Sequence, residues 1–424
     1  MNETSAHGPA PVPVPWQSLP SHRSWLDDET RRLLAFGAAA ALPAPGGAAY
    51  LDDAGVPDPS LGVQTWITAR TVHSYALGHL LGLPGSAAVA DAALAGLTGP
   101  LRDSEHGGWF HAVSAAGEPD VPAGKSAYDH AFVMLASASA TIAGRPGAVG
   151  LLAEATAVYL ERFWDDAAGR PVDTWDVAFT TLDDYRGLNA TMHSVEAMLT
   201  VADAVPVVEA GAWRDRAARA AAFVVDLAAE HDGRLPEHFG HGWEPDLELN
   251  KDRPGDQFKP YGATPGHGLE WARLLLHLEA ITAGSNGDLV RTAVALFDRA
   301  VADGWAADGA DGFAYTTDWS GAPVVRTRMH WVLCEAIATA AALHARTGEA
   351  RFADWYATWW DYAEKHLLDR REGSWHHELD PRNRPAATVW PGKPDVYHAL
   401  QATLIPRLPL APMLGAALRA GELR

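Results

Sequence analysis

Cysteine is all but missing. Cys334 is the single one in the chain, inside an apolar helical stretch. A lone cysteine closes no internal disulfide and no Cys-x-x-Cys metal or redox motif, so it reads as a buried packing residue. Positive charge is scarce too: 33 lysines and arginines face 53 aspartates and glutamates, for a formal net charge of −20. Such a surface repels nucleic-acid phosphates and anionic lipid heads, so neither is an expected partner. No apolar run is long enough to cross a bilayer. The N-terminus lacks the basic start and apolar centre of a secretory leader, so a cytoplasmic location is expected. There is no P-loop and no Gly-x-Gly-x-x-Gly opening a helix, and no cofactor is expected.

What is present is a soluble composition, 48% hydrophobic and 20% charged. A length of 424 residues suggests two or three domains, but repeats lengthen a domain without dividing it. Residues 1–20, rich in proline and small residues, read as a disordered arm, which leaves 21–424 as one domain. Apolar periodicity predicts helices over 24–41, 61–83, 87–97 and 149–163. Further helices are expected at Tyr128, Asn189, Trp213, Thr264, Asp288, His330, Ala350 and Asp395.

The pattern repeats. His73, His130, His193, His267, His330 and His398 mark six alternate helices, and each gap holds a second helix and a loop. The loops share glycine beside an aromatic, as in Gly108-Trp109-Phe110, Gly233 to Phe239, Asp311 to Tyr315 and Gly373 to Glu378. Short hairpins are expected there. Six stacked helix pairs give either an open solenoid or a closed ring. Polar residues recur at the starts of the same helices, and they share one mouth only if the ring closes. The expected fold is therefore all-α, an (α/α)6 barrel with short β-hairpin loops on one face.

Three stretches carry the chemistry. Asn189-Ala-Thr-Met-His193-Ser-Val-Glu196, Thr264-Pro-Gly-His267-Gly-Leu-Glu270 and Asp395-Val-Tyr-His398-Ala-Leu-Gln401 each set a histidine near a helix start, with a polar partner three residues on. Asn189 and Thr264 suit the N-cap, and Pro265 the first helical position. The partial positive charge of a helix N-terminus disfavours imidazolium, so histidines there stay neutral and able to accept a proton. Arg70 on the first inner helix offers a donor to a substrate oxygen. Most of the 17 tryptophans belong to packing. Trp66, Trp331 and Trp390 are candidates for a platform under a sugar. Each feature also has a packing interpretation: Glu196 as an interhelical ion-pair partner, His193 as a bridge to a neighbouring helix. The His-x-x-Glu pairs lack the additional inward carboxylates of di-metal sites, so no metal is expected.

These three motifs, with Met329-His-Trp331-Val-Leu-Cys-Glu335, resemble the N-acylglucosamine 2-epimerase superfamily. The similarity runs from about Trp25 to Pro406. The last motif, Trp390-Pro-Gly-Lys-Pro-Asp-Val-Tyr-His398, is most similar to the aldose–ketose isomerase branch, which includes mannose and sulfoquinovose isomerases. The resemblance implies the (α/α)6 barrel, a monosaccharide substrate and metal-independent isomerisation through a cis-enediol. It implies His267 and His398 as the acid/base pair, with Glu270 supporting His267. It implies Arg70, His193 and Glu335 as ligands of sugar oxygens, and Trp66, Met192 and Trp331 as pocket lining. The expected reaction is D-mannose to D-fructose, with D-lyxose to D-xylulose beside it. Sulfoquinovose isomerisation and 2-epimerisation are the alternatives within the family. A glycoside-cleaving enzyme, which would use carboxylates such as Asp129, Asp183 or Asp184, and a non-catalytic sugar-binding toroid are the alternatives outside it. Oligomeric state is not legible in the sequence.

Overall fold

The computed structural model describes residues 14–282 and 287–424. Its principal helices, in chain order, are α1 (Pro20–Gly37), α2 (Thr65–Leu80), α3 (Ser86–Thr98), α4 (Ala127–Ile142), α5 (Ala148–Arg162) and α6 (Leu188–Ala204). They continue as α7 (Val207–Glu230), α8 (Pro265–Ile281), α9 (Gly287–Gly304), α10 (His330–Thr347), α11 (Ala350–Tyr362), α12 (Tyr397–Leu404) and α13 (Leu414–Arg419). The even-numbered helices form the inner ring, each against the next, and α12 closes it by touching both α10 and α2. The odd helices α3 to α11 back them from outside. The N-terminal α1 supplies the sixth outer helix by packing on α12. The fold is an (α/α)6 barrel.

The sequence explains which helix goes where. Inner helices are buried on every face: α4 buries Phe132, Val133, Met134, Leu135 and Ala136 in an unbroken run. Outer helices carry one stripe. In α11 Phe352, Tyr356, Trp359 and Trp360 are buried at helical spacing, while Arg351 and Asp354 face outward. Each such aromatic contributes about 1.5–3 kcal/mol by leaving water.

Short antiparallel ladders crown the N-terminal ends of the inner helices. Lys125–Ser126 pairs with Thr174–Trp175, Arg186–Gly187 with His238–Phe239, and Arg328–Met329 with Glu378–Leu379. Each ladder ties the strand entering one inner helix to the loop of the next repeat. Within three loops the expected glycine–aromatic turn folds back on the chain, pairing Arg102 with Trp109, Trp305 with Phe313, and Leu368 with Trp375.

Several expected boundaries move. Residues 61–64 belong to a strand, Pro57–Gln64, and α2 starts only at Thr65. α6 begins at Leu188 with Gly187 as its cap, because the ladder at Arg186–Gly187 feeds straight into the helix. Asn189 is therefore inside the helix rather than capping it, and His193 lies in the second turn. Thr264 does occupy the cap of α8, with Pro265 at the first position, but its hydroxyl caps nothing. The expected arm over 1–20 falls largely on residues 1–13, outside the described residues. Trp16–Ser18 form a 3-10 turn, and Trp16 packs on His22 at 5.3 Å between ring centroids. No helix among the described residues is long and apolar enough to cross a membrane.

Candidate active site

The first two turns of the inner helices converge on one cavity. α2 contributes Trp66 and Arg70, α4 Tyr128, and α6 Asn189 and His193. α8 contributes His267 and Glu270, α10 His330 and Trp331, and α12 His398. Loops add Phe258, Tyr315, His377, Trp390 and Asp395.

His267 and His398 both lie against Trp331, whose ring centroid is 5.1 Å from the first imidazole and 5.9 Å from the second. Each is held by a carboxylate at Nδ1: His267 by Glu237 Oε2 and His398 by Glu335 Oε1, both at 2.9 Å. A carboxylate on Nδ1 fixes the tautomer with the proton on that nitrogen. Nε2 is thereby left with a lone pair, the form a general base requires. Burial pushes His398 below its ordinary value, and the Glu335 hydrogen bond works against that shift. The imidazole is therefore neutral at physiological pH.

The support of His267 differs from expectation. Its carboxylate is Glu237, thirty residues upstream beside the ladder strand His238–Phe239, and not Glu270. Glu270 sits one turn deeper, 3.4 Å from Arg273 and 3.8 Å from His193. Glu335 also departs from the expected role. It does not line the cavity but lies behind His398, bridging that ring to Arg273 Nε at 2.8 Å. Met192 is fully buried in the core and is not part of the cavity wall. It neighbours His193 in sequence, so it points about 100° away around the helix.

Arg273 is the hub beneath the site. It lies within 3.7 Å of Glu196 as well as contacting Glu270 and Glu335. One guanidinium cannot neutralise three buried carboxylates, and the three divide accordingly. Burial raises Glu335, but Arg273 and His398 outweigh it and hold the carboxyl below its usual range. Glu196 behaves alike, with His193, Arg273 and Tyr397 overcoming burial. Glu270 loses the competition: burial and the charge on Glu335 push it well above the usual carboxyl range. His193 is lowered to about 4, chiefly by burial. Its Nδ1 lies 3.9 Å from Glu196 and has no hydrogen-bond partner.

Two sets of groups, His193 with Glu196 and Glu270, and Glu270 with Glu335 and His398, bring potential metal-ligand atoms within 4.8 Å. The guanidinium of Arg273 already lies against all three of those carboxylates and supplies the positive charge there.

Arg70 is fixed from both sides, donating to Asp395 at 3.1 Å and to the Tyr128 hydroxyl at 3.0 Å. The rings of Trp66, Phe132 and Tyr397 surround its guanidinium at 4.9, 4.4 and 4.8 Å. Trp66 and Trp390 meet edge to face at 6.0 Å and, with Trp331 and Tyr315, make the aromatic wall. The carboxylates that a glycoside-cleaving reading would use are elsewhere. Asp129 is engaged by His111 and Ser126, while Asp183 and Asp184 are exposed. The sequence reading missed Glu237, His377, Tyr128, Tyr315 and Asp395. Glu237 and His377 both lie in the glycine–aromatic loops, where the spacing signalled a turn but no partner.

Comparison with known proteins agrees with this geometry. The family model for N-acylglucosamine 2-epimerase (GlcNAc 2-epimerase) matches residues 46–402. A D-mannose isomerase of Thermobifida fusca is 51% identical over 405 residues, 95% of this chain and 98% of that protein. One from Pseudomonas cannabina pv. alisalensis is 47% identical over 408 residues, 95% and 97% of the two chains. A crystal structure of a D-mannose isomerase superposes with a TM-score of 0.82 at 24% identity, covering 91% of this chain and 98% of that one. The cellobiose 2-epimerase of Spirochaeta thermophila gives 0.79 at 22%, with 91% and 96% covered. The chain belongs to the N-acylglucosamine 2-epimerase family and is an enzyme of that family.

Proposed function

We propose that the enzyme is a metal-independent aldose–ketose isomerase that interconverts D-mannose and D-fructose, and D-lyxose and D-xylulose by the same route. The observation that carries the reading is the pair of carboxylate-held imidazoles lying against Trp331 in one cavity. The near-full-length similarity to D-mannose isomerases supports the substrate.

In the proposed cycle His267 takes the proton of the anomeric O1 and returns one to the ring oxygen, which opens the pyranose to the aldehyde. Nε2 of His398 then removes the C2 proton while O1 gains one, giving a cis-enediol. Transfer of the proton from His398 to C1, with loss of the O2 proton, yields the ketose. Glu335 stabilises the transient imidazolium, as a buried carboxylate behind a catalytic histidine does. Arg70 and His193 bind sugar oxygens, and Trp66, Trp331 and Trp390 pack on the apolar face of the sugar. Glu270, one turn deeper, supports the site through Arg273 and His193.

The test is proton NMR of D-mannose in deuterated water with the enzyme and excess EDTA. Fructose is expected at an EDTA-independent rate, with deuterium at C1 to the extent that the proton on His398 exchanges with solvent before its return. Accumulation of glucose in place of fructose would make the enzyme a 2-epimerase, and loss of activity with EDTA would restore a metal.

A further inference from the structure

One part of the cavity wall is not used by the cycle above. His330, the first residue of α10, and His377, in the loop before Glu378–Leu379, stack face to face at 3.7 Å with 20° between their planes. Both line the cavity and both are buried. The His330 ring lies 6.4 Å from that of His398.

The tautomer of His330 follows from its contacts. Its Nδ1 faces the backbone carbonyl of His377 at 3.4 Å, and a carbonyl only accepts, so Nδ1 carries the proton. Nε2 is then a bare lone pair, and it has no partner among the described residues. Burial, and then the neighbouring His330, hold His377 well below its ordinary value, and a neutral imidazole keeps one acceptor nitrogen. Protonating either ring would place a charge in a buried site against the other imidazole. His330 is accordingly lowered to about 3, first by burial, then by His398. The wall therefore offers acceptors and no charge. Arg70 is the one lysine or arginine among the described residues lining the cavity, and Asp395 already neutralises it.

We infer that His330 and His377 form a hydroxyl-accepting wall that admits uncharged sugars and rejects those bearing a phosphate, sulfonate or carboxylate. A sugar hydroxyl donates its proton to such a nitrogen, whereas an anion brings only lone pairs to meet lone pairs. This selectivity rests on the proposed sugar isomerase reading and narrows its substrate class.

The experiment measures turnover and, by titration calorimetry, binding of D-mannose, D-mannose 6-phosphate, its 6-sulfonate counterpart and uncharged 6-O-methyl-mannose. Wild type is expected to bind both neutral sugars and neither anion. His330→Phe keeps a flat ring against His377 but removes the acceptor. It is expected to raise KM for mannose about fivefold to tenfold with kcat within about twofold, the loss of one hydrogen bond. His330→Asn, whose amide oxygen accepts, is expected to recover most of it. Anion binding by wild type as tight as that of mannose, or an unchanged KM in a folded His330→Phe, overturns the inference. Should His330→Phe fail to fold, the wild-type binding series decides alone. A wild type that binds mannose without converting it refutes the isomerase reading, while the neutral-over-anion preference still decides the wall.

Discussion

Two segments of this chain were built to one plan and put to different uses. Gly124-Lys125-Ser-Ala-Tyr-Asp-His130 enters α4, and Gly392-Lys393-Pro-Asp-Val-Tyr-His398 enters α12. Both glycines have positive φ, 68° and 73°, and at both a side chain would strike a backbone carbonyl, of Trp175 and Leu51 respectively. Both lysines are wholly buried and grip the preceding loop in the same manner. Lys125 Nζ donates to Asp103 Oδ2 at 2.7 Å and to the Gly107 carbonyl at 2.6 Å; Lys393 Nζ donates to Asp369 Oδ2 at 2.7 Å and to the Gly373 carbonyl at 2.8 Å. The histidines part company. His130 gives Nδ1 to the Ser126 carbonyl at 2.7 Å, and its Nε2 accepts from the Trp109 amide at 3.1 Å. Both nitrogens are consumed in holding the loop. His398 gives Nδ1 to Glu335 and keeps Nε2 for the cavity. Whether a histidine in this frame spends both nitrogens on the fold or keeps one for the cavity is decided by the neighbouring helix. α10 offers a carboxylate to His398, while His130 finds its acceptor in its own turn.

The sharpest way to break the comparison is to remove each ring. His398→Ala is expected to lose roughly 10²–10⁴-fold in turnover, the contribution of a positioned acid–base group, with little change in stability. His130→Ala is expected to do the reverse, costing about 2–4 kcal/mol through a cavity and an unpaired Trp109 amide, with kcat nearly intact in the folded fraction. Isomerisation rates and urea denaturation of the two variants measure both. Comparable losses of turnover in both would erase the distinction.

A finer cut removes only what α10 adds. Glu335→Gln is expected to reduce kcat by roughly tenfold to a hundredfold, the usual cost of losing the partner that orients a working histidine. The pH dependence gives a sign. Burial lowers His398, so its basic form persists below pH 6.5, and the acid limb of kcat should lie under that value. The negative charge of Glu335 favours imidazolium and opposes that shift. Without it the acid limb should move to still lower pH even as the plateau falls. An acid limb that moves upward would mean that Glu335 does not act on His398 as its charge requires.

The comparison also explains what could be read in the chain. Helix periodicity and the recurring histidines pointed to six helix pairs, and with the family resemblance they led to a closed ring with His193, His267, His398, Arg70, Trp66 and Trp331 at one mouth. A spacing of three within a helix was a poorer guide. Glu270 follows His267 as Glu196 follows His193, yet a rise of 1.5 Å per residue carries each into the buried layer. There Arg273 is their counter-charge. The partners that orient the two imidazoles come from other repeats, Glu237 from 30 residues before His267 and Glu335 from 63 before His398. Only ring closure brings such residues together, and no local pattern records it. His130 shows the converse error: sequence gives it the same marker as His398, and its two hydrogen bonds appear only in three dimensions.

The smallest effect on turnover should come from the shared lysines, and it is the most specific test of the shared plan. Removing one partner of a buried ion pair leaves an uncompensated charge and costs about 3–5 kcal/mol. Lys125→Met and Lys393→Met should therefore lower stability by similar amounts, because Asp103 and Asp369 are left in the same environment. They should differ in activity. The loop held by Lys393 leads directly to Asp395, which fixes Arg70, and to His398. The loop held by Lys125 leads to Tyr128, which touches Arg70, and to a histidine whose two nitrogens are both spent on the loop. Lys393→Met should thus lower kcat several-fold under conditions where the protein is fully folded, and Lys125→Met should leave kcat within about twofold. Equal effects on kcat would show that the two lysines support the ring as a whole, and that Lys393 has no particular hold on His398.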